Sequence, residues 1–64
     1  MKIIFPDSTT ETKGGEPESI SQILDRLKIN PSEVIVSRNG KLVPEDAVVG
    51  GEDEIRIIRI AHGG

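Results

Sequence analysis

Apolar residues in this chain come in short runs toward both ends and at helical spacing once between them, and that change of period lays out the elements. Residues 2–5, KIIF, are β-branched and aromatic and stop at Pro6-Asp7, which predicts a short strand. Polar DSTTETKGGEPES follows, and its threonines favour extended backbone. A partner strand is therefore expected around Thr9 to Lys13, with Asp7 to Ser19 as a whole resembling a flexible loop. In ESISQILDRLKINP, Ile20, Ile23, Leu24 and Leu27 stand at i, i+3, i+4 and i+7, one stripe of a helix. Ser19 with Gln22 three residues on suits a capping box, Pro17 and Glu18 suit the first turn, and Asn30-Pro31 closes the element. These signals place the helix from about Pro17 or Ser19 to Lys28.

EVIVSRNGKLVPED reads as strand, turn, strand, because Asn39-Gly40 supplies the positive φ angles of a two-residue hairpin turn and Pro44 ends the second strand. Glu45 to Val49 is an irregular connection whose Val48 or Val49 plugs the core. Gly50-Gly51 turns the chain into a last strand, Ile55 to Ile60. The order is ββαβ, a short β, then β: an α+β mixed sheet with one helix packed on one face. In the last strand Ile55 and Ile57 point one way and Arg56, Ile58 and Ile60 the other.

At 64 residues the chain makes one small domain, which buries only about 60% of its unfolded surface and leaves no room for a deep pocket. It has no cysteine, so disulfides, thiolate metal sites and a cysteine nucleophile are excluded. The start, MKIIFPD, lacks the apolar core of a signal peptide, and no stretch has the ~20 apolar residues of a membrane span. A cytoplasmic protein with no membrane partner is expected. The formal charge is -3 and Phe5 is the only aromatic, which argues against a nucleic-acid partner on both phosphate and base-stacking grounds.

No self-contained active site emerges. The only histidine, His62, stands alone near the end, and the serines at 8, 19, 21, 32 and 37 fall in turns, caps and a strand, so a Ser-His hydrolase is not expected. Glu52-Asp53-Glu54 cannot wrap a cation without further ligands and reads as a solvated turn, so no metal is expected. Gly14-Gly15 and Gly50-Gly51 lack the Lys-Ser/Thr of a phosphate loop and read as turn glycines. If Ile55 and Ile57 meet the helix, Ile58 and Ile60 face outward. Edged by Arg38, Arg56 and Arg59, they form a candidate partner-docking patch with an apolar centre and polar rim.

The segment VIVSRNGKLVPEDAVVGGEDEIRIIRIAHGG resembles the β-grasp, ubiquitin-like sulfur carriers of the ThiS and MoaD type and the small archaeal modifier proteins. The shared pattern is a Val/Ile strand, the Asn-Gly turn, VPED, a Gly-Gly turn before the last strand and a final Gly-Gly. The resemblance implies a β-grasp domain over residues 1–61 and a flexible tail over 62–64. It further implies that the Gly64 carboxylate is the reactive group, with Gly63, His62 and Ala61 threading into an enzyme channel, where glycine's missing Cβ permits close backbone approach. In such proteins an adenylating enzyme uses ATP to make an acyl-adenylate. Sulfur then converts it to a thiocarboxylate for thiamine, molybdopterin or tRNA-thiolation pathways, or a lysine of a target protein captures it. The implied partners are that enzyme, a sulfur donor or a sulfur-accepting synthase, and possible target lysines; the chain itself is not an enzyme and holds no cofactor. Three readings stay open: sulfur carrier, protein modifier, and a non-covalent β-grasp interaction module.

Overall fold

The computed structural model describes residues 1–60. Its strands are β1 (Lys2–Ile4), β2 (Thr10–Thr12), β3 (Glu18–Ser19), β4 (Val34–Arg38), β5 (Lys41–Val43), β6 (Val48–Val49) and β7 (Glu54–Arg59), with one helix, α1 (Ile20–Arg26), between β3 and β4. Five strands form a mixed sheet in the order β2-β1-β7-β4-β5, and β3 pairs with β6 in a separate two-stranded ribbon. The terminal strands β1 and β7 are parallel neighbours at the centre, and every other pairing is antiparallel.

Helix α1 lies over one face of the sheet. Its Ile20, Ile23 and Leu24 join Ile3, Val34, Val36, Ile55 and Ile57 in a single core, with Val49 and Met1 closing its sides and Leu27 half-buried against it. The predicted stripe is thus the contact face, and Val49 rather than Val48 plugs the core. The capping box forms as expected: the Gln22 amide donates to Ser19 Oγ at 3.1 Å and the Ser19 amide to Gln22 Oε1 at 2.9 Å.

The helix is shorter than its sequence signals suggest. Pro17 and Glu18 do not form a first turn, because Ser19 is the N-cap and Glu18 is spent in β3, opposite Val49. At the other end Lys28 adopts a left-handed φ of 59° and ends the helix before Asn30-Pro31 is reached. Asn30 instead caps a single 3₁₀ turn, Pro31–Glu33, by accepting from the Ser32 amide at 3.0 Å.

The stretch Asp7 to Ser19 is tied down rather than loose. The Met1 ammonium donates to the Lys13 carbonyl at 2.8 Å, the Lys13 amide donates back to Met1 at 2.8 Å, and Glu18 accepts from both Lys13 and Arg26. The Arg26 guanidinium, ahead of Lys13, holds the Glu18 carboxyl below the usual glutamate range. Asp53 is likewise more than a solvated turn residue. It accepts from the Gly50 amide at 3.0 Å and from Asn39 Nδ2 at 3.1 Å, and these two bonds in that order hold its carboxyl below the usual aspartate range. Asn39 Oδ1 in turn accepts from the Glu54 amide at 2.9 Å, so the hairpin turn and the approach to β7 are clamped together.

Two of the supposed turn glycines have a different purpose. The Gly51 amide donates to the Gly15 carbonyl at 2.7 Å, and a Cβ added at Gly15 would sit 2.8 Å from the Gly51 backbone; one added at Gly50 would sit 2.9 Å from Gly15 O. Backbone meets backbone there, so neither side can yield by a rotamer change. Gly50→Ala is expected to cost about 1–3 kcal/mol by overpacking, whereas Gly14→Ala, with open space around it, is neutral to slightly stabilising. Parallel urea melts of the two variants check this, and equal midpoints would refute the close-approach argument.

Candidate functional site

The residues expected to carry function cluster around β7, so its position decides what the site is. β7 runs through the middle of the sheet and ends beside Val34, the partner of Arg59. One residue further, the Ile60 amide donates to the Glu33 carbonyl at 2.9 Å and fixes the point where the chain leaves the sheet. Ala61, His62, Gly63 and Gly64, the proposed threading and reactive positions, lie outside the described residues.

On the face away from α1, the register builds rows across the strands. Thr10, Ile4, Arg56, Ser37 and Leu42 align in one row over all five strands, and Ile58 pairs with Ile35 in the next. Residues opposite one another in adjacent strands share a face. Ile58 is 37% exposed, Ile35 40% and Leu42 65%, so the expected outward patch exists and is wider than Ile58 and Ile60 alone. Ile4 and Ser37 are buried although they point to this face. Arg56, itself exposed, stands between them in the row.

Arg38 does not edge this patch. Register pairs it with Ile55, which places it on the helix-side face, where its guanidinium lies 3.8 Å from Asp53. Arg59 also alternates to the helix side, opposite Val34, and borders the patch only from the end of the strand. Ile35 and Leu42 were missed in the sequence. The alternation of VIVSR across the Asn39-Gly40 turn carries the signal, since Val34 and Val36 inward require Ile35 outward, and Leu42 opposite Ser37 follows from a two-residue loop.

The described residues hold no histidine and bring no group of three carboxylates together as a metal site. Among the described residues no helix is long and apolar enough to cross a membrane. What this arrangement can do is present one apolar sheet face to a partner, with Ile60 held by Glu33 at the end of β7 beside it.

The family model described as small archaeal modifier protein 2 matches residues 2–61 of the sequence. The chain belongs to this family. Its fold is that of two solved structures of a thiamine biosynthesis protein, ThiS, from Geobacter metallireducens. The crystal structure has a TM-score of 0.70 and 24% identity, with all of both chains covered. The NMR structure gives 0.61 and 23%, covering 100% of this chain and 88% of that one. A search of curated proteins gives no match. The chain has the β-grasp, ubiquitin-like architecture expected from the sequence, a mixed sheet with a single helix across one face.

Proposed function

We propose that the protein is a sulfur carrier whose Gly64 carboxylate is adenylated by a partner enzyme and then converted to a thiocarboxylate. The observation that supports this is the family match over residues 2–61, on a fold shared with ThiS, with His62-Gly63-Gly64 following it in the sequence. The Gly64 carboxylate oxygen attacks the α-phosphorus of ATP and pyrophosphate leaves. A hydrosulfide equivalent from the sulfur donor then adds at the carbonyl, AMP departs with the former carboxylate oxygen, and one C–S bond stands where a C–O bond was. Carboxylate oxygen is a poor leaving group and AMP a good one, which is why ATP is needed. The thiocarboxylate passes its sulfur to a synthase in a thiamine, molybdopterin or tRNA-thiolation pathway.

The family's description favours a second reading, in which a lysine amine of a target protein displaces AMP and an isopeptide bond to Gly64 results. Both readings use the same activated carboxyl and place the catalytic machinery in the partner. Intact mass after incubation with ATP, the adenylating enzyme and sulfide separates them: a single sulfur-for-oxygen exchange supports the carrier, and a ladder of conjugates supports the modifier. No mass change with any such partner leaves a non-covalent interaction module.

Docking of the adenylating enzyme is assigned to the outward face around Ile58. Ile58→Glu puts a carboxylate opposite Ile35, at the centre of the apolar patch and away from the core. The expected result is an unchanged melting curve with loss of adenylation, read as ATP–pyrophosphate exchange, because a desolvated unpaired charge in the interface opposes association. Normal exchange by the folded variant would remove Ile58 from the interface.

A further inference from the structure

Helix α1 is too short to cover the sheet it packs on. Its seven residues span about 10 Å, whereas the six residues of β7 span about 20 Å. The capping box fixes where the helix starts and Lys28 where it stops, so the uncovered length falls at the end of β7 where the chain leaves the sheet. An open cleft of about 730 Å³ results. Phe5, Ile29, Val34 and Ile57 line it, and Asp7 and Arg59 stand at its rim. The chain's one aromatic residue is therefore half-buried in a cleft instead of sealed in the core.

The rim charges are not equivalent. Asp7 Oδ1 accepts from Thr9 Oγ1 at 2.6 Å and from the Thr9 amide at 3.0 Å, which commits it to closing the β1–β2 turn. Among the described residues Arg26 and Arg38 have carboxylate partners, while Arg56 and Arg59 have none. Both unpaired guanidiniums flank a smaller groove that also runs past Phe5, Pro6 and Ile58, so the cleft continues around the end of the sheet onto the outward face. Two guanidiniums without carboxylate partners, Arg56 and Arg59, thus stand at this end against the turn-bound carboxylate of Asp7.

We propose that this cleft is a second docking site, centred on the helix-side face and meeting the Ile58–Ile35 patch only at its edge, and that it takes an extended acidic segment of a partner protein. An aliphatic side chain of the segment fills the floor between Phe5, Ile29 and Ile57, and neighbouring carboxylates pair with Arg59 and Arg56. The inference does not depend on the chemistry of Gly64, since binding here needs no ATP and no activated carboxyl.

Amide chemical shifts of the full-length labelled protein, titrated with two capped pentapeptides, DLDIE and KLKIK, test it. The acidic peptide is expected to shift Phe5, Ile29, Val34, Ile57 and Arg59 saturably, and the basic one not. Arg59→Gln should weaken the acidic peptide by about fivefold, the size of one exposed ion pair, and added salt should weaken it in the wild type as well. Equal binding of both peptides, shifts centred on Ile35 and Leu42, or no shifts would overturn the proposal. It is equally overturned if the cleft amides shift with protein concentration alone, which assigns the cleft to a second copy. The same holds if removing residues 61–64 moves those amides and abolishes the peptide response, which assigns it to the chain's own end.

Discussion

Removal of Gly64 is expected to leave the melting curve of the protein unchanged and to abolish both thiocarboxylate formation and conjugation. The core that holds the fold draws only on residues from Met1 to Ile57, and the backbone bond that fixes the end of β7 is made by Ile60. Loss of one residue beyond these points falls within the ±0.5 kcal/mol typical of changes away from the packed structure. Chemistry should respond in the opposite way. The truncated chain still ends in a glycine carboxylate, that of Gly63, but the group is withdrawn by one residue, up to about 3.5 Å. An attacking oxygen must come within about 3–3.5 Å of the phosphorus, and a 1 Å misplacement already costs about a hundredfold. A truncated protein that is still adenylated at the normal rate would sink the carrier and modifier readings together. A protein that is adenylated slowly and also melts earlier would show that the end contributes to folding.

How far the sequence foretold this molecule depended on whether a feature is local. The Asn39-Gly40 turn is fully local: its φ angles of 51° and 87° are the ones that pair requires, and the register of β4 and β5 follows from it. Ser19 and Gln22 signalled their capping box for the same reason. Non-local features were silent. The parallel pairing of β1 with β7 joins the two ends of the chain, and no spacing within either strand announces it. β3 and β6 have two residues each, too few for any period, and exist because Glu18 and Val49 meet in space.

The misplaced residues fail for the same reason. Arg38 looks like a neighbour of Arg56 on charge alone, and only the pairing of Arg38 with Ile55 puts it on the other face. Gly15 and Gly50 carried the composition of turns, and the need for glycine comes from a contact between backbones 35 positions apart in sequence. At the end of the chain, the fold and the outward face of β7 were legible because strand alternation is local to it. Ile35 and Leu42 needed the register as well.

The alternation of β7 also separates stability from docking, and Ile55→Ala should expose that separation at its largest. Ile55 is fully buried on the central strand, with Ile3 beside it on β1 and the helix above. Truncation there removes three methyl or methylene groups and leaves a cavity that flanking strands cannot close, at a cost of about 2–5 kcal/mol. A domain of this size holds only about 3–10 kcal/mol in total, so the melting point should fall by roughly 10–30 °C. Ile35→Ala, one strand away but on the outward face, should cost less, about 1 kcal/mol, because 40% of its surface is already exposed and no sealed cavity is left. Thermal melts followed by circular dichroism give both numbers. If the two substitutions cost the same, the helix does not define a single buried face, and Ile58 cannot be assigned to docking without also being assigned to folding. If they differ as expected, loss of adenylation in Ile58→Glu can be read as a lost contact, because Ile58 and its partner Ile35 lie outside the core that carries most of the stability.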